Sequence, residues 1–167
     1  MMSRTFRHLS HRFFEVLLAR RLDSHELARA ASWVGPGLWE IFIDQQTADQ
    51  RHGYRAGAKI ASDPTNHHDL VVAAMMHDVG KRHSRLGVVG RTVATLLMAI
   101  GAPLSRRMAG YRDHGALGAE ELERAGAPPI AVLFARHHQD DRPDSIAAGD
   151  WATLIRADEP GMPGHIR

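Results

Sequence analysis

Five histidines and two aspartates carry the chemistry this chain could perform: His52, His77-Asp78, His114, His137-His138 and Asp158. The His77-Asp78 doublet closes the apolar run Ala73-Ala74-Met75-Met76 and is followed by Val79-Gly80-Lys81. An ionisable pair at the end of an apolar helix is costly unless it is coordinated or hydrogen-bonded. Imidazole nitrogens and carboxylate oxygens without a thiolate are the donor set of a hydrolytic divalent-metal centre, of one or two ions. That set suits manganese, iron, zinc or cobalt better than magnesium or calcium alone. Adjacent residues on a helix point about 100° apart, so Asp78 is placed to bridge two ions while His77 binds one of them. Asp78 is therefore read as catalytic as well as ligating. Lys81, one turn past His77, is a candidate to hold a phosphoryl oxygen or assist a leaving group; its rival role is a cation at a helix C-terminus. Arg55 and Arg85, with Arg82 and Arg91, are further candidate phosphate contacts.

The elements that must bring these residues together are helices. Successive candidate ligands are separated by 25 residues (His52 to His77), 37 (to His114), 23 (to His137) and 21 (to Asp158). Each interval holds roughly one helix and a connection, so helices stacked side by side can bring one ligand each to a common point. Apolar periodicity predicts a basic amphipathic helix over 5–20 and a short helix through Ser32 capped by Ser24. Gly35-Pro36-Gly37 breaks the chain, and one long helix is expected from Leu38 past His52 toward Ile60. Further helices are expected over 69–76, ended by Gly80, over 88–100, from Asp113 or His114 through Glu123, from Pro128-Pro129 to His137-His138, and over 146–158. No alternating strand, internal repeat or low-complexity segment is found. The expected fold is all-α, a compact multi-helix bundle with a metal site at its centre. The domain reading is an N-terminal helical arm (1–35), a metal-binding helical domain (36–160) and a flexible tail (161–167).

Composition narrows the class. A chain of 167 residues, 44% hydrophobic and 24% charged, is that of a soluble globular domain with a real core. It contains no Cys, which excludes disulfides and Cys-zinc sites. A net charge of +2 and few interleaved aromatics argue against extended nucleic-acid binding. Lys occurs only at 59 and 81, the other 19 basic side chains being Arg. No secretory signal is apparent, and the longest apolar stretch, Thr92 to Leu104, is short of the ~20 residues a spanning helix needs. The expected compartment is the cytoplasm, with a membrane-surface role for the basic helix over 5–20 as the alternative to packing on the domain. His8, His11, His25 and His165 stand alone and read as surface residues; His67 and His68 read as helix-start residues, and His83 stays open. For Asp158 a structural salt bridge is the rival reading. The composition leaves the oligomeric state open.

The order His, His-Asp, His, His-His, Asp resembles the HD-domain superfamily of metal-dependent phosphohydrolases over residues 38 to 160. Asp49-Gln50-Arg51-His52 followed by Tyr54-Arg55-Ala56 resembles that family's first-ligand helix, and His114-Gly115-Ala116-Leu117-Gly118-Ala119 resembles the motif of its two-metal members. The resemblance implies an all-helical bundle in which His52, His77, Asp78 and Asp158 hold a first metal, and His114 with His137 or His138 completes a second. It implies hydrolysis of a phosphoester or phosphoanhydride by a metal-activated water, on a small phosphorylated, nucleotide-like substrate. Subfamily signatures narrow this little. Gln139-Asp140-Asp141-Arg142-Pro143 after the His pair departs from cyclic-dinucleotide phosphodiesterases of the HD-GYP type. Val79-Gly80-Lys81-Arg82-His83 departs from alarmone hydrolases, and Lys81 stands where deoxynucleotide triphosphohydrolases have a second His. The stretch 114–119 is similar to HD-domain bis(5′-nucleosyl)-tetraphosphatases. The alternatives are a non-catalytic metal- or nucleotide-binding module and a single-strand nuclease.

Overall fold

The computed structural model describes residues 20–159, and every described element is helical. The helix expected over 5–20 and the tail 161–167 lie outside the described residues. The first helix, α1 (Ser24–Val34), begins with a capping box: the Asp23 carboxylate accepts from the Glu26 amide, and the Glu26 carboxylate accepts from the Asp23 amide, both at 2.9 Å. Asp23 is therefore the cap where Ser24 was expected, because only Asp23 has Glu three residues on. Gly35, at φ 72°, ends α1 in a conformation that side chains rarely adopt, and Pro36 starts α2 (Pro36–Ile43).

The single helix expected from Leu38 to Ile60 is two, α2 and α3 (Thr47–Ala61). No Gly or Pro marks the break. Amide side chains fix it instead: Gln50 donates to the carbonyls of Ile43 (2.8 Å) and Gln45 (2.9 Å), which the helix no longer satisfies. Next comes α4 (His68–Met76), where Leu70 to Met76 are all buried. A helix apolar on every side belongs at the centre of a bundle, and α3, α9 and α10 pack around it. After α4 follow α5 (Lys81–Ser84), α6 (Val88–Ala99), α7 (Arg106–Arg112), α8 (His114–Arg124), α9 (Pro129–His137) and α10 (Ala148–Asp158). The short α5 and α7 were not anticipated. Ser105 caps α7, its hydroxyl accepting from the Met108 amide at 3.4 Å.

Leu22, Ala30 and Val34, from the stretch read as an arm, share one core cluster with residues of α2, α3, α4, α8, α9 and α10. Two close backbone approaches bring the site-bearing elements together. At Gly53 on α3 an added Cβ would lie 2.4 Å from the Met75 carbonyl oxygen, and at Gly80 it would lie 1.9 Å from the His114 carbonyl oxygen. These glycines let α3 and α8 close onto the turn that carries His77 and Asp78. No described helix is long and apolar enough to cross a membrane.

Candidate metal centre

Each candidate ligand stands where a helix hands its buried face to the centre. On α9, Ala131, Phe134 and Ala135 are buried at i, i+3 and i+4, and His138 is the next residue on that face. On α8, His114 heads the stripe continued by Gly118 and Leu122. Asp158, the last residue of α10, follows Leu154 at i+4. His52 projects from α3, and the turn after α4 delivers His77 and Asp78.

The rings are oriented by main chain. Nδ1 of His77 lies 2.9 Å from the Ala74 carbonyl oxygen, Nδ1 of His114 lies 2.7 Å from that of Tyr111, and Nδ1 of His138 lies 2.9 Å from that of Ala135. A carbonyl only accepts, so each Nδ1 carries the proton and donates. In the neutral ring, Nε2 then presents a lone pair, the form that binds a metal. The Nε2 atoms converge on carboxylate oxygens. His114 Nε2 and His138 Nε2 are 3.3 Å apart and lie 3.3 and 3.5 Å from Asp78 Oδ1. On the other side, His52 Nε2 and His77 Nε2 lie 2.8 and 3.1 Å from Asp158 Oδ1, and 3.9 and 3.5 Å from Asp78 Oδ2.

This arrangement fits divalent cations. Donors about 2.1 Å from a metal stand roughly 3.4 Å apart in a tetrahedron and roughly 3.0 Å in an octahedron. The separations around Asp78 Oδ1 (3.3, 3.3 and 3.5 Å) match the tetrahedral value. Asp78 Oδ1 is itself buried without a hydrogen-bond partner. Such an orphan, ringed by lone pairs, calls for a cation. Two groups thus share one carboxylate: His52, His77 and Asp78, with Asp158 alongside, and Asp78, His114 and His138.

Electrostatics agree. Burial opposes charge on Asp78, yet the Lys81 ammonium against its Oδ2 and the neighbouring His77 hold its carboxyl well below the usual range. Burial likewise opposes charge on Asp158, and His77 and His52 overcome it, lowering that carboxyl. Burial works against protonation of His77, but Asp78 and Asp158 outweigh it and raise the imidazole to about 9. Burial keeps His114 below its ordinary value, against the pull of Asp78. Phe134 packs on the rings of His77 and His138, with centroids 5.5 and 6.0 Å away, and excludes water from that side. The open side is at His52 and Asp158, whose side chains are 25% and 26% exposed against 1–5% for His77, Asp78, His114 and His138.

Of the residues singled out from the sequence, His52, His77, Asp78, Lys81, His114, His138 and Asp158 are brought together. His137 is not. It lies off the buried face of α9, a third exposed, with Nδ1 3.9 Å from Asp140. The choice left open between the paired histidines thus falls on His138. Lys81 is buried against Asp78 rather than turned to solvent. Arg55 is exposed one turn past His52. Arg85 is exposed at a left-handed position, φ 49°, its carbonyl accepting from Arg107. Arg91 and Arg82, also read as phosphate contacts, are committed elsewhere. Arg91 is buried in a two-point pair with Asp49 (2.6 Å each), and Arg82 pairs with Asp44 and Glu121. His83 meets Glu121 at 3.1 Å. Asp158 has histidine partners and no Lys or Arg partner among the described residues, so the salt-bridge alternative takes an imidazole form. Gln139 was missed: its amide nitrogen lies 3.1 Å from His114 Nε2. Its place directly after His138 was the available signal. Comparisons with protein-family models, with curated proteins and with solved structures returned no match.

Proposed function

We propose that this protein is a metal-dependent phosphohydrolase that cleaves a phosphoester or phosphoanhydride of a small, nucleotide-like substrate. The observation that carries the reading is the pair of donor groups sharing Asp78, with Oδ1 facing His114 and His138 and Oδ2 facing His52 and His77. When bound, divalent cations there would acidify a water and neutralise phosphoryl oxygens. His52, His77, Asp78 and Asp158 would hold one ion; Asp78, His114 and His138 would hold the other.

The chain's own residues do the rest. Asp78, kept ionised by Lys81 and His77, offers both carboxylate oxygens at once. Lys81 acts as a positioning residue, its ammonium fixing the rotamer of Asp78. The carbonyls of Ala74, Tyr111 and Ala135 fix three ring orientations before any ligand arrives, so little reorganisation is left for the reaction. Two carboxylates against four neutral imidazoles give a donor set of charge −2, so a pair of divalent ions leaves the centre cationic and suited to a phosphate anion. Phosphate enters on the His52–Asp158 side, the more exposed one. Phe134 and the buried turn close the other side.

The test is to load purified protein with manganese, measure metal per chain by elemental analysis, and assay a panel of mono-, di- and polyphosphate nucleotides beside a simple phosphodiester. The wild type is expected to hydrolyse a member of the panel, and Asp78→Ala to lose both metal and turnover. Retained turnover with retained metal in Asp78→Ala would overturn the assignment. So would a fully loaded wild type that cleaves nothing in the panel.

A further inference from the structure

The helix α6 carries an apolar stripe that nothing described covers. Val89, Val93, Leu96 and Ile100 are 71%, 39%, 53% and 77% exposed. Their spacing of four, three and four residues places them within an arc of about 60° on one face. The opposite face holds Arg91 and Ala94, which are buried. A contiguous exposed aliphatic stripe on a helix marks a contact surface.

Charge identifies what it contacts. From 79 to 112 the chain has no Asp or Glu and seven Lys or Arg. Lys81, Arg82 and Arg91 are spent on ion pairs inside the protein. Arg85 and Arg106 are exposed and pair with no acid among the described residues, and the exposed Arg107 guanidinium donates only to the neutral carbonyls of Ser84 and Arg85. The stripe is thus bounded in sequence by Arg85 before it and Arg106-Arg107 after it. An aliphatic helix face with flanking arginines matches an anionic lipid surface, the side chains entering the acyl boundary and the guanidiniums meeting phosphates.

Other occupants fit less well. Four such side chains expose on the order of 400 Å², half of the roughly 800 Å² each partner brings to a standard interface, which is small for a second copy. The amphipathic sequence over 5–20 has the wrong charge, since Arg7, Arg12 and Arg20 outnumber the lone Glu15. Nucleic acid would use the arginines and leave the aliphatic stripe in water.

We infer that α6 lies on anionic membrane surfaces, with Val89, Val93, Leu96 and Ile100 embedded and Arg85, Arg106 and Arg107 on the headgroups. The stripe belongs to the folded domain and is separate from the metal centre.

The experiment is vesicle flotation of the full chain with phosphatidylcholine alone and with added phosphatidylglycerol, comparing wild type, Val93→Glu/Leu96→Glu and Arg106→Glu. Wild type is expected to float with the anionic vesicles, less as salt rises, and to stay unbound with phosphatidylcholine alone. The double variant should lose at least about tenfold in partitioning and Arg106→Glu at least about fivefold, the worth of removing one arginine at such a surface before the added negative charge is counted. Both should keep wild-type metal content and Tm, because the positions are exposed. Wild-type protein that does not float overturns the inference. So does equal flotation of the double variant, which would assign binding to another segment such as 1–19. A dimer abolished by the double variant without flotation points to a second copy, and single-stranded DNA binding indifferent to it points to nucleic acid; either result also overturns the inference.

Discussion

Replacing Gly80 by Ala tests whether backbone contact positions the second half of the centre. The added Cβ would sit 1.9 Å from the His114 carbonyl oxygen, 2.7 Å from the Gly118 amide nitrogen and 2.9 Å from the His114 carbonyl carbon. All three are backbone, so no rotamer change relieves the clash. The first turn of α8 must move away by roughly 1 Å or more. Overpacking costs typically 1–3 kcal/mol, and contact with backbone alone places this case at about 3 kcal/mol. For a domain of this size that lowers Tm by about 6–12 °C. His114 rides on the displaced turn, so its Nε2 leaves the 3.3 Å approach to Asp78 Oδ1. The expected result is a chain that still folds, melts lower by that amount, and under manganese holds about one ion fewer than wild type. Calorimetry and elemental analysis measure both. Gly110→Ala is the control: its Cβ meets nothing within 4 Å, so it should gain about 0.4–1 kcal/mol. If Gly80→Ala melts with wild type and binds the same metal, the close approach is not what sets His114.

Three further outcomes are expected. His138→Ala should lose bound manganese and turnover, whereas His137→Ala should keep both in the same assays; equal loss would return His137 to the centre. The pH dependence of metal stabilisation follows from His77. Its imidazole is raised from 6.5 to about 9 in the metal-free fold, so the stability it contributes is complete below pH 6.5 and is lost as pH rises through about 9. Metal needs that ring neutral and replaces its proton, so the Tm gain on adding metal should be larger at pH 9 than at pH 6.5 by differential scanning fluorimetry. A gain that shrinks over that interval would contradict the assignment of His77. Finally, Asp49→Ala strands the buried Arg91 guanidinium and should cost about 3–5 kcal/mol in urea unfolding, while Asp49→Ala/Arg91→Met recovers most of it. No recovery in the double variant would show that the pair does more than satisfy itself.

Most of the helices and the converging ligand segments were legible because both rest on local pattern. The run Leu70 to Met76 leaves no polar face and so announces a central helix, and an ionisable doublet at its end must find partners. The choice of His138 over His137 was also encoded, in the buried series Ala131, Phe134, Ala135 and His138, although spacing between ligands does not display it. What stayed hidden depends on long-range contact. The break between α2 and α3 rests on amides of Gln50 reaching back over the turn, and the helix of Lys81–Ser84 is four residues long. Arg91 looked like an interruption of an apolar helix facing inward. In fact it is buried along with Ala94, drawn in by Asp49 from 42 positions away, while Val89, Val93, Leu96 and Ile100 face out.

Three imidazoles are each anchored at Nδ1 by a carbonyl three positions earlier in its own segment. Ring geometry is thereby tied to how each helix ends. If the proposed phosphohydrolase function holds, the mouth beside His52 and Asp158 is free to diverge, trading one residue for another to admit a different phosphorylated molecule, without disturbing the groups assigned to the cleavage. On that proposal, selectivity and reactivity would sit on separable parts of this scaffold, and engineers could alter the former alone.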